Sequence, residues 1–452
     1  MLVIVSDLHL TDGSTANNFN PQAFGILASE IQSAARERGA REVKLVLLGD
    51  VFDFVRTDYW HRNVSPDRRP WGGKLDDETA MNVDREAVEA QFTIVLESAI
   101  ARDKENPESG LGACLQKLDR HFTEKGQKFS VTYVIGNHDR VLLNFPSLGQ
   151  YIHQEYPAIT DFTTRFDDEA YALVARHGHE WDDNCHAHEF RKRVLRARGV
   201  RSRFEPETYR VMAIGEVVTA ELMSGLVHFA RTGGADEAIV RRLKDVNNLR
   251  PMTDVFEWLD WFGGAKTGEQ QGILYRALKQ SLDAVLDCSF ARRWDELTTD
   301  IVVSGDLVDR LQLARTLLLG ENFRDFRKRA GALETLQRAL SALDGEEPLR
   351  EGAVEEYRLK DHLPPWTQHL VYGHTHRARR DYFAADIEGG ARMYINTGTF
   401  LPLITRTADG RSFATELQMT MVFVYSEEED AAGKRDGPSL DIWNGTRRKQ
   451  YA

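Results

Sequence analysis

Five times along this chain of 452 residues a short, strand-like apolar run stops at a cluster of acid, amide and imidazole side chains. Leu2–Val5 leads into Ser6-Asp7-Leu8-His9, Val43–Leu48 into Gly49-Asp50-Val51-Phe52-Asp53, and Phe129–Ile135 into Gly136-Asn137-His138-Asp139. Tyr171–Ala175 leads through Arg176 into His177-Gly178-His179, and His369–Tyr372 into Gly373-His374-Thr375-His376. Leu2–Val5 and Val43–Leu48 read as strands buried on both faces, the situation of parallel strands covered by helices. Between them Phe24, Leu27 and Ile31 recur at helical spacing, and Gly39 closes that helix. Strand, helix, strand is the opening of a layered α/β fold.

The rest of the chain divides by texture. Helical patterns fill Val83–Ala101 and Leu111–Glu124, whereas Arg56–Asp77 lacks periodicity and reads as a long loop beginning beside Asp53. Loops of more than about 12–15 residues inside a domain are functional or disordered. From Cys185 to Pro365 strand signals become scarce and helical stripes dominate, as in Leu274, Leu278, Leu282 and Val285. The α/β pattern returns at His369–Tyr372 and continues through Tyr382–Ile387, Met393–Ile395 and Leu417–Tyr425. In the last run alternate residues are apolar, which predicts a half-buried antiparallel strand, with Glu427–Asp430 a solvated turn after it. The expected organisation is a core in two parts, 1–184 and 366–452, interrupted by a helical insertion or cap over 185–365.

The formal net charge of −12 gives no global pull toward nucleic acid or anionic membrane. The cysteines, Cys114, Cys185 and Cys288, are far apart, which excludes a disulfide framework and a thiolate zinc site. No stretch reads as the roughly 18 apolar residues that span a bilayer, and the first residues lack a basic leader. A cytoplasmic location follows as the expectation.

Asp7 and His9, two residues apart at a strand end, lie on one face and can share a metal. His374 and His376 have the same spacing and can reach one metal or two. Glycines at 49, 136 and 373 permit sharp turns and close backbone approach before the ligand candidates. Attack on a phosphate ester needs phosphoryl charge neutralised and a nucleophile at neutral pH, and two divalent ions supply both. An oxygen and nitrogen ligand set suits Mn²⁺, Fe or Zn²⁺.

In that order the segments resemble the DxH, GDxxD, GNHD/E, lone H and GHxH motifs of the calcineurin-like metallophosphoesterases. The resemblance covers 1–184 and 366–452, not the helical stretch. It implies an α/β sandwich of two sheets flanked by helices and a binuclear hydrolase of phosphoric esters. It also implies that Asp7, His9 and His376 hold a first metal, that Asp50 bridges, and that Asn137, His177 and His374 hold a second. His138 would act on the phosphate or the leaving oxygen, Asp139 would orient His138, and a metal-bridging hydroxide would attack in line. Asp53 and His179 would stand behind the ligands or face substrate.

Each segment alone has a plain structural reading: a strand-end turn for Asp7 and His9, a helix cap for Gly49–Asp53. Gly305–Asp309 also fits GDxxD but falls in the wrong order, and Asp306 reads as a helix cap. His186 and His188 read as solvated. Arg140 and Arg377, each directly after a ligand segment, are candidate contacts for an anionic substrate, as is the basic stretch Arg191–Arg203. The substrate expected is a phosphorylated small molecule. Gly49–Phe54 and His177–His179 are also similar to the bacterial branch that hydrolyses a UDP-sugar pyrophosphate. A nuclease is the alternative, kept open by the arginines and by Trp60 and Trp71, since aromatics beside cations hold single strands.

Overall fold

A computed structural model of the chain describes residues 1–18, 21–251, 254–263, 268–297, 306–319, 346–359, 362–383, 392–429 and 438–448. The apolar runs become strands, and their neighbours follow from burial. β1 (Leu2–Val5), β2 (Glu42–Leu48), β3 (Lys128–Val134) and β4 (Ile159–Thr163) lie side by side and parallel. β10 (Pro402–Arg406), β11 (Phe413–Tyr425) and β12 (Ser439–Arg448) complete this sheet. β11 runs antiparallel to β1, β10 and β12. Glu416 and Leu417 pair with both β10 and β12, so those two strands take opposite edges of β11. A second sheet has the order β5 (Phe166–Asp168), β6 (Leu173–Ala175), β7 (His369–Tyr372), β9 (Arg392–Thr397) and β8 (Ala378–Phe383). Its three middle strands are parallel and its outer two antiparallel, so both sheets are mixed.

Side-chain alternation decides the layers. Leu2, Ile4, Val46, Leu48 and Val134 meet Leu173, Ala175, Val371 and Ile395 in one buried cluster between the sheets. Val3, Val5, Leu45, Leu47 and Tyr133 face the other way. They pack with Phe24 and Ile31 of the helix Pro21–Glu37, Phe92 and Leu96 of Arg85–Lys104, and Leu118 and Phe122 of Leu111–Glu124. Beyond the second sheet, Val174, Leu370 and Tyr394 pack on Leu349 and Ala353 of the helix Glu346–Arg358. Each fully buried Leu, Ile or Phe in these layers contributes roughly 1.5–3 kcal/mol relative to exposure. The α/β class with two sheets and flanking helices is therefore as expected from sequence.

Among the described residues of 185–365 there are helices and no strand. Phe190, Leu222, Trp258, Leu278 and Trp294 from this stretch enter the same buried cluster as the helices on the first sheet. The helix Glu346–Arg358 forms the outer layer of the second sheet instead.

Several expectations are corrected. Arg56–Asp77 is not a plain loop but a partly buried one, with Arg62, Asn63 and Ser65–Arg68 exposed. It holds a short helix, Tyr59–Asn63, and buries Trp60 and Trp71 edge-on with ring centres 5.2 Å apart. β11 is buried on both faces beyond Gln418, because Met421 and Phe423 face the helices while Val422 and Val424 face the second sheet. Glu429 is no bystander of a solvated turn: its carboxylate receives the Met1 ammonium. One stretch, Pro206–Thr232, is long and apolar enough to cross a membrane, contrary to expectation, and 89% of its apolar window is buried inside the protein. Asp306 caps the helix Leu307–Leu319, accepting from Val308 N at 2.8 Å, as expected; the run Ile301–Val303 before it lies outside the described residues. β4, β5, β10 and β12 gave no sequence signal, being short or rich in polar residues.

Candidate metal centre

The five segments converge. β1, β2 and β3 are parallel neighbours in one sheet, β6 and β7 in the other, so their carboxyl ends open to the same side. Three donor groups meet first: Asp7, His9 and His376, all buried, with ligand atoms within 4.8 Å of one another. His376 Nε2 lies 3.0 Å from His9 Nε2 and 3.3 Å from Asp7 Oδ1. A second group, Asp50, His177 and His374, satisfies the same limit. Asp50 Oδ2 stands between the two groups, 3.5 Å from His9 Nε2 and 3.4 Å from His177 Nε2. Asn137 is buried beside them, its neighbour His138 donating N–H to Asp50 Oδ1 at 2.9 Å.

The backbone is bent to make this possible. Among the described residues eight non-glycine positions have positive φ, and five of them are Asp7, His9, Asp50, His374 and His376, at 43° to 73°. That region costs an ordinary residue about 1 kcal/mol or more, and such outliers cluster at functional sites. Gly136 serves a close approach: a Cβ there would lie 2.3 Å from Asp50 Oδ1 and 2.9 Å from His177 Cδ2. Gly49, at φ +83°, would put a Cβ 2.3 Å from His177 Nδ1.

The donor set fits a cation. Asp7 Oδ1, Asn137 Oδ1 and His177 Nε2 are buried with no well-directed hydrogen bond among the described residues. Orphaned polar atoms in a dry interior are costly unless an ion completes them. The opposite ring nitrogen of His177 meets Leu48 O at 2.9 Å, which fixes the ring and presents Nε2. Burial first, then the Arg56 guanidinium, lowers His9 to about 3, and burial with Arg250 and His9 puts His376 well below its ordinary value. Both are therefore neutral and keep the lone pairs that a metal takes. Burial works against charge on His177, but the Asp50 and Asp7 carboxylates raise it to about 10.

The supporting residues are not all those expected. Asp139 does not orient His138. Its carboxylate turns back to the loops, accepting from Tyr133 Oη at 2.6 Å and Val51 N at 2.9 Å. Asp53 takes that role, with Oδ2 3.1 Å from His138 Nδ1 and 2.8 Å from His9 Nδ1. Arg140 is buried, with Nε in an ion pair with Glu216 at 2.5 Å. His179 sits behind His177, ring centres 5.4 Å apart, against His186 at 5.5 Å. His186 is thus buried, not solvated. Arg377 is half-buried at the entry to β8, its backbone N–H turned to Thr375 Oγ1. Part of the basic stretch is engaged by acids, Arg191 by Glu205 at 2.6 Å, Arg193 by Glu189 at 2.7 Å and Arg203 by Asp183 at 2.7 Å.

Three contributors carried no sequence signal. Asp182 Oδ2 lies 3.0 Å from His374 Nε2. Arg56, buried, approaches Asp53 Oδ2 at 3.1 Å. Arg250 Nη2 lies 2.6 Å from His376 Nδ1. Arg56 lies only three residues from Asp53, but the contacts of Asp182 and Arg250 join residues 192 and 126 positions apart, beyond what spacing reveals. No protein-family model matches the chain, and no curated protein matches it.

Proposed function

We propose that the chain is a metal-dependent phosphoesterase of the calcineurin-like superfamily, built on that family's two-sheet sandwich. The observation that carries this reading is the position of Asp50 Oδ2 between two donor triads, 3.5 Å from His9 Nε2 and 3.4 Å from His177 Nε2. Asp7, His9 and His376 would hold one divalent ion and Asn137, His177 and His374 a second, with Asp50 shared. Mn²⁺, Fe and Zn²⁺ all suit this oxygen and nitrogen set. Such ions supply a water of lowered pKa and neutralise phosphoryl charge.

The chain's own residues do the rest. Asp53 holds His138 by Nδ1, which leaves Nε2 as the ring nitrogen free to meet substrate. From there His138 hydrogen-bonds a phosphoryl oxygen or passes a proton to the departing oxygen. Asp139, held by Tyr133, keeps the Gly136–Asp139 turn in shape; Gly136 N donates to its Oδ1 at 2.5 Å.

A nuclease finds less support. Trp60 and Trp71 are buried and cannot stack on bases, and Arg191 and Arg203 are engaged by acids. The test is a panel of phosphomonoesters, phosphodiesters, nucleotides and DNA, assayed with Mn²⁺ and with chelator. Chelator-sensitive hydrolysis of small esters is expected. A folded, metal-loaded protein inert on the whole panel would remove the reading.

A further inference from the structure

We propose that Asp182, Cys185 and His374 form a separate site for a soft divalent cation of the Zn²⁺ class, set against the candidate binuclear centre and sharing one imidazole with it. Their donor atoms lie within 4.8 Å of one another, the same limit that the Asp7 and Asp50 groups satisfy. Asp182 Oδ2 is 3.0 Å from His374 Nε2. His374 in turn lies against His177, ring centres 5.3 Å apart, and its backbone N–H donates to Asp7 Oδ2 at 3.0 Å. The site adjoins the centre at His374.

The turn that carries two of the donors is held from both sides. Asp182 Oδ1 accepts from Asn184 N at 2.9 Å, and Asp182 O accepts from Cys185 N at 2.9 Å. One carboxylate oxygen is thereby fixed and the other is turned to the imidazole. The helical stretch clamps the same turn: Gly215 N donates to Asn184 O at 2.8 Å, and a Cβ on Gly215 would lie 2.9 Å from Cys185 Sγ. A side chain there would push the sulfur out of place. All three donor residues are half-buried, so a cation can enter and solvent can fill a remaining coordination position.

Sulfur sets this group apart. The Asp7 and Asp50 groups offer oxygen and nitrogen only, whereas a thiolate shifts preference toward Zn²⁺ and away from Mn²⁺. A cysteine that merely fills space sits among apolar side chains; this one has a carboxylate and an imidazole at its side. The scattered cysteines exclude a zinc site built from several thiolates, but one thiolate among mixed donors leaves no such spacing. On binding, the thiol proton passes to solvent and the sulfur lone pair to the cation. A neutral imidazole has one lone pair to give. His374 belongs to both groups, so an ion at Asp182 and Cys185 competes for it with an ion at Asp50 and His177.

The test titrates the metal-free full-length chain with Co²⁺, a visible stand-in for Zn²⁺, and follows the near-ultraviolet charge-transfer band of a sulfur–cobalt bond. Wild type, Cys114→Ser and Cys288→Ser should each show the band, and Zn²⁺ should bleach it where Mn²⁺ at the same concentration does not. Cys185→Ser should abolish it, and Asp182→Asn should raise the half-saturating Co²⁺ concentration by at least ~10-fold. Melting temperatures check that each variant folds; should Cys185→Ser fail to, Cys185→Ala is scored by the same band. No band in folded wild type, or a band that survives loss of the Cys185 thiol, overturns the site. A second arm rests on the phosphoesterase reading: Zn²⁺ added to the Mn²⁺-loaded protein should inhibit ester hydrolysis at a ~10-fold lower concentration in wild type than in Cys185→Ser. Equal inhibition overturns the shared imidazole. A cobalt band in a wild type that turns over no ester would sink the phosphoesterase reading and leave the site standing.

Discussion

Asp50 illustrates how much one side chain can be asked to do. Its Oδ2 faces imidazoles from both donor triads, and its Oδ1 accepts the His138 N–H that shapes the next turn. Truncation to alanine removes a shared charge, not one ligand of three. Asp50→Ala is therefore expected to lose metal from both positions, seen by elemental analysis after gel filtration, with turnover down by at least ~10³-fold. Retention of two ions would refute the sharing. His138 differs: it belongs to neither of these two triads, and its Nδ1 lies 3.1 Å from Asp53 Oδ2. His138→Asn should cut kcat by about 10²–10⁴-fold while metal content stays the same. The correction at Asp139 belongs here too. Sequence adjacency suggested that it supports His138, but two residues one apart cannot easily meet when the turn points their side chains apart, and Tyr133 claims the carboxylate.

At the scale of elements, the apolar helical run Ile214–Thr232 is locked to the loop after Asp53 by a buried acid. Glu221, in a π-helical turn spanning Val218–Ser224, accepts both Oε contacts from Arg69 Nη1 at 2.6 and 2.7 Å and also receives Trp71 Nε1. Removing one partner of such a buried pair strands the other charge. Glu221→Ala should cost roughly 3–5 kcal/mol in urea unfolding and leave the metal stoichiometry of the folded fraction intact. The same junction predicts a pH effect. His61, with its Nε2 at Ala220 O (3.0 Å), is lowered to about 4 by burial and then by Arg69. Its folded value is below the unfolded one, so between pH 6.5 and about 4 the unfolded chain binds a proton that the fold refuses. Stability should fall with pH across that window, by on the order of 1 kcal/mol per unit, and His61→Phe should remove that part of the slope. Parallel unfolding curves for the two proteins across the window would exclude it.

Across the whole molecule, the candidate ligands come from positions as far apart as Asp7 and His376 and from both sheets. An ion bound only by the folded arrangement stabilises it by mass action. Free Mn²⁺ at about a hundred times its dissociation constant should add ~2.7 kcal/mol, and a chelator should lower the melting temperature by several degrees. A melting temperature indifferent to metal would contradict the donor assignment.

The chain's local pattern was sufficient for the strand ends, the α/β class, the helical character of the described residues of 185–365 and the side chains that gather at the strand ends. Each of these is written within a few residues: an apolar run, a glycine, then ligands. It was insufficient for β4, β5, β10 and β12, whose pairing depends on the strands beside them and not on their own composition. Local pattern likewise left undecided which neighbours support the centre. Asp53 at His138, Asp182 at His374 and Arg250 at His376 are separated by 85, 192 and 126 positions. Spacing reports only what a helix turn or a strand register brings together. Contacts of that length exist because the sheets pack face to face and the helical stretch closes against them, and packing is a property of the assembled fold.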